Sequence, residues 1–114
     1  MPSRRIKKVN ELIRQELSDI IRQEIEWPEG CLVTVKKADT AADLEETKIG
    51  VSVLPTEKRD KILNLLKKNI YQIQQSLNHK LVMRVVPKLD FYIDKSEEKA
   101  QRINHLLDKV SKKR

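Results

Sequence analysis

Basic side chains are the residues of this 114-residue chain that could act together at one place. Lys67, Lys68, Lys80, Arg84 and Lys88 fall around the end of a predicted helix and the start of the next predicted strand. Several close cations neutralise neighbouring phosphates and release the counterions bound there, whereas scattered cations do so weakly. This grouping favours a nucleic-acid partner.

Positive charge is segregated along the chain. The net charge is +7 and the pI about 9.6, although 36% of the residues are charged and both signs occur. Residues 1–14 carry five bases and one acid, residues 15–56 four bases and nine acids, and residues 57–88 eight bases and two acids. This distribution predicts a polyanion-binding surface at the start of the first helix and along the central helical region.

The sequence offers little with which to build a catalytic site. His79 and His105 belong to different predicted helices, where a lone histidine is expected to be a solvated surface residue. The metal, nucleophile and nucleotide motifs CxxC, HExxH, GxSxG, GxxxxGK[ST] and GxGxxG do not occur, and two glycines cannot form a glycine-rich phosphate loop. We therefore expect no enzyme activity, no cofactor and no small-molecule substrate.

Four acidic residues precede and follow a predicted turn: Asp39, Asp43, Glu45 and Glu46. They could be imagined as ligands of a hard cation, but they lack the glycine and the spacing of a calcium loop. We interpret them as the solvated end of a hairpin and expect no metal.

The compartment is predicted from one cysteine and from the amino terminus. Cys31 cannot form an internal disulfide, and we expect it to be a small buried apolar residue at the head of a strand in a reducing compartment. The opening Met-Pro-Ser-Arg-Arg is not followed by an apolar region, and no apolar run is long enough to span a membrane. The expectation is a cytoplasmic protein without membrane contact.

Hydrophobic spacing predicts the fold. Helical steps of three and four over 6–25, with Ser3 as N-cap and an end near Trp27, give way to strand-like runs at 32–35 and 49–53. The loop between these strands is expected at 39–46. Helical spacing returns over 62–81, alternation returns over 89–93, and Ser96 is expected to cap a terminal helix over 95–114. The prediction is one α+β domain over residues 1–114, with helices on one face of a three-stranded sheet.

The central helix and the last strand give the sharpest local expectations. Periodicity alone draws one helix of 25 residues over 57–81 without Pro or Gly, with Thr56 as its cap. Alternation in the last strand places Phe91 in the core and turns Tyr92 the other way.

Four stretches of sequence together carry a family resemblance. They are Arg5-x-x-Lys8-Val9, Leu32-Val33-Thr34-Val35, Ala42-Asp43-Leu44-Glu45-Glu46-Thr47-Lys48-Ile49-Gly50-Val51-Ser52-Val53, and Arg84-Val85-Val86-Pro87-Lys88-Leu89-Asp90-Phe91 with Asp94-x-Ser96. The element order resembles a type II KH domain, but the GxxG loop that clamps RNA backbone in KH modules is absent. Over nearly its whole length the chain resembles the ribosome-binding factor A family.

The resemblance implies a protein that binds the small ribosomal subunit and its 16S rRNA during late assembly, assists rRNA maturation and supports growth in the cold. It also implies a kink between two central helices, which falls on Asn69-Ile70-Tyr71. We therefore predict a bend there instead of one straight helix. Tyr71 stands where the family has a glycine, and Gly50 where it usually has a larger residue.

The combined hypothesis is a monomeric, non-catalytic rRNA-binding factor that acts by occupancy through phosphate contacts. The RNA-binding residues we expect are Arg5, Lys8, Lys67, Lys68, Asn69, Lys80 and Arg84. The alternative is a protein-interaction adaptor whose apolar helix faces dock a partner and whose charge only provides solubility.

Overall fold

Three helices and three strands follow one another in the predicted order. The structure is a computed structural model that describes residues 3–96, so nearly all of the terminal helix predicted over 95–114 lies outside the described residues. The elements are α1 Arg4–Glu24, β1 Leu32–Thr40, β2 Glu46–Leu54, a 3-10 turn Thr56–Lys58, α2 Arg59–Lys68, α3 Ile70–Lys80 and β3 Lys88–Ile93.

Helix α1 begins at the predicted cap and ends earlier than predicted. The Ser3 hydroxyl accepts a hydrogen bond from the Ile6 N–H at 3.2 Å. At the other end Ile25 is already extended, and the Trp27 indole N–H donates to the Ile21 carbonyl at 3.1 Å. The indole thus satisfies one of the carbonyls that a helix end leaves without a partner. In the predicted apolar stripe Val9 is half-buried against the core, and the buried members are Ile6, Ile13, Leu17, Ile20 and Ile21.

The turn after α1 corrects the expectation for Cys31. Gly30 adopts a φ of 80°, a left-handed conformation that favours glycine, and the Cys31 N–H donates to the Pro28 carbonyl at 3.2 Å. Cys31 is half-buried, because it belongs to this turn at the rim of the core and precedes the strand.

The sheet has the order β1-β2-β3. Strands β1 and β2 pair antiparallel from Leu32 opposite Leu54 to Thr40 opposite Thr47, with a bulge between Val35 and Lys37. Strands β2 and β3 pair parallel. Both hairpin strands are longer than predicted, because polar residues at their ends continue the pairing, and the loop therefore spans 41–45 instead of 39–46.

The two faces of the sheet differ in character, as the alternation in β3 predicts. Phe91 is 3% exposed on the inner face, and Tyr92 is 37% exposed on the outer face, which confirms both expectations. The Tyr92 ring lies against Gly50 of the neighbouring strand, where a Cβ would come within 2.8 Å of the Tyr92 hydroxyl. Glycine at position 50 therefore makes room for the tyrosine ring.

The central helical region is interrupted at Asn69, which confirms the predicted break. Asn69 has φ −99° and ψ 11°, outside the helical region. The Leu65 carbonyl accepts both the Asn69 N–H at 3.0 Å and the Asn69 side-chain amide at 2.8 Å. Side chains that bond a carbonyl one turn earlier disturb the helix at that point. Helical bonding resumes with the Ile73 N–H, which donates to the Asn69 carbonyl at 3.0 Å.

The start of the central region differs from the prediction. Thr56 does not cap α2; it opens the 3-10 turn, in which the Lys58 N–H donates to the Pro55 carbonyl at 3.1 Å. The residue before α2 is Lys58, which makes no side-chain capping bond. The tightened turn takes the place of the expected side-chain cap.

The helices cover the inner face of the sheet, with α1 on β1 and α2 on β2 and β3. Helix α1 lies against α3, and the Ser76 hydroxyl donates to the Glu24 carboxylate at 2.6 Å. Near the other end of α1, the Asn10 side-chain oxygen accepts the Thr40 N–H at 2.9 Å. This arrangement brings the start of α1 to the hairpin end of the sheet.

One side chain of α3 fixes the segment that leads into β3. The Gln74 amide nitrogen donates to the Pro87 carbonyl at 3.0 Å, and its oxygen accepts the Leu89 N–H at 2.9 Å. Pro87 and Leu89 lie at the start of β3, an edge strand of the sheet, so no strand within 3–96 pairs with these backbone groups on that side. The Gln74 side-chain amide therefore supplies the two hydrogen bonds that a neighbouring strand would otherwise provide.

We expect Phe91→Ala to lower the free energy of unfolding by about 3 to 5 kcal/mol, because it empties a buried aromatic site in the core. Urea unfolding followed by circular dichroism measures the change. Tyr71→Ala is the control, because Tyr71 is 77% exposed and its loss should change stability by no more than about 0.5 kcal/mol. Equal effects of the two substitutions would contradict the assigned strand register.

Gln74→Ala should destabilise the fold by about 1 to 3 kcal/mol, because two backbone groups lose their partner. Gln75→Ala changes an exposed neighbouring glutamine on the same helix and serves as the matched control. Hydrogen exchange of the Leu89 amide provides a local measurement, which should accelerate in the Gln74 variant alone. Unchanged exchange there would show that the bridge does not hold β3.

Candidate nucleic-acid interface

The expected RNA-binding residues occupy three places on the helical side of the molecule. Arg5 and Lys8 lie in the first turns of α1; Lys67, Lys68 and Asn69 lie at the break between α2 and α3; Lys80 and Arg84 lie at and after the end of α3. All six cations are exposed, and none forms an ion pair with another residue in 3–96. Their charges are therefore available to an external anion.

The central cations form two groups, whereas the sequence predicts them around one helix end. Lys67 and Lys68 precede α3, Lys80 is its last residue, and Arg84 follows it. Helix α3 has 11 residues and is about 16 Å long, which separates the two groups. The reason is their position in the chain, because Lys67 and Lys68 end α2 and the whole of α3 lies between them and the segment that follows. Lys88 lies apart from both groups, in β3.

The start of α1 and the segment after α3 lie beside the same cleft, which the sequence spacing does not reveal. Arg5 and Arg84 line the same open cleft of about 620 Å³. The hairpin loop contributes Asp43 and Glu45 to its wall. A phosphate in this cleft would meet two cations and two carboxylates, so the attraction is weaker there than the cations alone suggest.

The Asn69 side chain forms a hydrogen bond within the helical region at the point where α2 ends. Its side-chain nitrogen is held by the Leu65 carbonyl at 2.8 Å, and the residue is half-buried. Lys67 and Lys68 at the carboxyl end of α2 also face the negative end of the helix dipole. Asn69 thus positions the two lysines by ending their helix.

A further basic surface is not evident from the sequence. It surrounds a shallow groove of about 270 Å³ between the other flank of α1 and β1. Lys36 and Lys37 are consecutive residues at the β1 bulge. Charge counting along the sequence misses them, because residues 15–56, taken together, carry more acids than bases. The signal that could have found them is this lysine pair beside the first helix. The residues lining the groove are Lys7, Asn10, Glu11, Arg14, Lys36, Lys37 and Ala38.

Arg14 in that groove has an internal partner. Its guanidinium Nε donates to the Glu11 carboxylate at 3.2 Å, and a second nitrogen pairs with the other oxygen. The hydrogen bond from Arg14 lowers the pKa of Glu11 and raises the pKa of Arg14. This compensation reduces the charge that the groove presents to a phosphate.

The described residues hold no cluster of three or more His, Cys, Asp or Glu side chains arranged to bind a metal ion. In the hairpin loop the Asp43 carboxylate accepts the Glu45 N–H at 3.0 Å, an internal turn contact. No helix within 3–96 combines the length and the hydropathy needed to cross a membrane.

Curated relatives match over nearly the whole chain. The ribosome-binding factor A of Opitutus terrae is 31% identical over 111 residues, which cover 96% of this chain and 90% of the relative. That of Akkermansia muciniphila is 34% identical over 110 residues, which cover 96% and 87%.

Solved structures show the same fold. The crystal structure of ribosome-binding factor A from Thermus thermophilus has a TM-score of 0.68 at 18% identity and covers 77% of this chain and 94% of its own. The solution structure of a Thermotoga maritima ribosome-binding factor A homologue has a TM-score of 0.68 at 20% identity and covers 81% and 89%. This likeness confirms the KH-like arrangement of helices on a three-stranded sheet.

The family model of ribosome-binding factor A matches residues 5–107. This match includes both hairpin strands, the broken central helix and β3. The chain therefore belongs to the ribosome-binding factor A family.

Proposed function

We propose that this protein binds the small ribosomal subunit through its 16S rRNA and assists late maturation by occupancy, without catalysis. A homology model of the Thermus thermophilus family member has been fitted into a cryo-EM map of its complex with the 30S subunit. That model resembles this chain with a TM-score of 0.66 at 22% identity, and covers 75% of this chain. We further propose that the protein acts as a cytoplasmic monomer and supports growth in the cold.

The observation that carries the proposal is the set of exposed cations without internal partners on the helical side. Each of them can neutralise a phosphate and release the counterion bound there. Lys67 and Lys68 lie before α3, Lys80 lies at its far end about 16 Å away, and Arg84 lies in the segment that follows. Two separated cation groups can contact two separate stretches of RNA backbone.

The kind of recognition follows from the side chains available. Phosphate contacts position a protein on RNA without reading its sequence. The exposed aromatic residues in the described part of the chain are Tyr71 on α3 and Tyr92 on the sheet, which lie on opposite faces and do not form a stacking platform. Choice of target therefore comes from the shape of the RNA, which must match the spacing of the two cation groups.

We expect Lys67→Gln, Lys68→Gln and Arg84→Gln each to weaken binding to small subunits. Each should also lower the magnitude of the slope of log K against log salt by roughly 1, the effect of one lost phosphate contact. The measurement is a salt titration of binding for each purified variant. Stability should change by no more than about 0.5 kcal/mol, since these side chains are exposed.

Lys48→Gln is the matched control for this titration. Lys48 is an exposed lysine on the outer face of the sheet, opposite Asp39 and Asp90 on the two neighbouring strands. Its slope should equal that of the parent. If the control loses as much slope as the central variants, the binding depends on net charge alone and the assigned residues are wrong.

A further inference from the structure

The segment between α3 and β3 exposes apolar side chains beside the hairpin loop. Val82 is 102% exposed and Val85 is 67% exposed. Val85 lies between two open clefts, the one of about 620 Å³ that also contains Arg84 and a second of about 680 Å³. We call the surface formed by Val82, Val85, Val86 and hairpin residues 43–46 the valine-acid surface.

Carboxylates surround these valines. Asp43 and Glu45 line the first cleft, where Arg5 and Arg84 balance their charge, and Glu45, Glu46 and Asp90 line the second. The second cleft contains Lys88 as its one cation among the lining residues, so its charged side chains sum to a negative value. Phosphate is repelled from such a place, whereas a positively charged group is attracted.

The hairpin part of the valine-acid surface is held in position by backbone hydrogen bonds. The hairpin loop is closed by the Ala41 N–H donating to the Glu46 carbonyl and the Leu44 N–H donating to the Ala41 carbonyl, each at 2.9 Å. The Lys88 N–H donates to the Glu45 carbonyl at 3.0 Å and joins the loop to the start of β3. The carboxylates of the hairpin loop are therefore carried on an ordered backbone before any partner arrives, which reduces the entropy lost on binding.

We propose that the valine-acid surface docks a basic polypeptide segment that carries apolar side chains and belongs to a protein of the small ribosomal subunit. The inference rests on the proposed function. Arginine and lysine are suited to this surface, because their aliphatic stems can cover the valines while their charged ends reach the carboxylates. An RNA strand satisfies neither the exposed apolar side chains nor the negative charge of the second cleft.

The test compares two probes, intact small subunits and protein-free 16S rRNA. In the double variant Val82→Ser with Val85→Ser, binding to intact subunits should weaken about tenfold, a loss of roughly 1.4 kcal/mol. Binding to protein-free 16S rRNA should stay unchanged. Both side chains are exposed, so the variant should melt like the parent.

Leu32→Ser is the matched control. Leu32 is 61% exposed and starts β1 at the end of the sheet away from the hairpin loop. It should leave both affinities unchanged. A tenfold loss for this control as well would overturn the inference, because any exposed apolar residue would then act alike.

Charge reversal distinguishes the two kinds of macromolecule. Glu45→Lys together with Glu46→Lys should weaken binding to intact subunits if the occupant is a basic polypeptide. Tighter binding of the reversed variant to both probes would identify an RNA strand and overturn the inference. A dimer in sedimentation equilibrium that the valine substitutions abolish would overturn it in favour of a second copy of this chain.

The failures of the two proposals look different. If the parent binds small subunits and the double valine variant binds them equally well, the inference is wrong and the proposed function stands. If the parent binds neither small subunits nor 16S rRNA, the proposed function fails and the inference fails with it.

Discussion

The rest of the structure depends on one constraint. A single apolar stripe must be buried along two consecutive helices, α2 and α3, which are separated by a residue outside the helical conformation. Ile62 and Leu66 of α2 and Ile73 and Leu77 of α3 are all fully buried. Asn69 stops regular helical bonding between the two pairs, and the spacing of three and four continues across it. Both helices therefore pack on the same core although regular helical structure is interrupted between them.

The same break decides where charge is presented. Helix α2 ends with Lys67 and Lys68, so the chain places two cations at a helix end in the middle of the helical layer. Helix α1 lies against α3 and carries Arg5 to the segment that contains Arg84. Two basic groups thus arise from packing that serves the core, and helix α3 separates them.

Much of the fold could be predicted from the sequence because its signals are local and periodic. The Ser3 cap, the burial of Phe91 and the outward turn of Tyr92 each follow from neighbours a few residues away. The break at Asn69 could be expected only from the family resemblance, since the hydrophobic period runs through it unchanged. The prediction that Thr56 caps α2 was wrong, because a 3-10 turn precedes that helix. The prediction that Cys31 is buried was wrong, because Cys31 belongs to a turn that contains the left-handed Gly30.

The candidate site was less predictable, because it depends on which ends of the elements meet. Counting charges along the chain placed Asp43 and Glu45 in an acidic block and Arg5 and Arg84 in basic ones. The antiparallel hairpin returns its loop to the start of α1, so these four side chains share one cleft. A protein of net charge +7 therefore has a negative region beside its cations. We expect such a juxtaposition to orient the protein on a polyanion, since the cations attract phosphates and the carboxylates repel them.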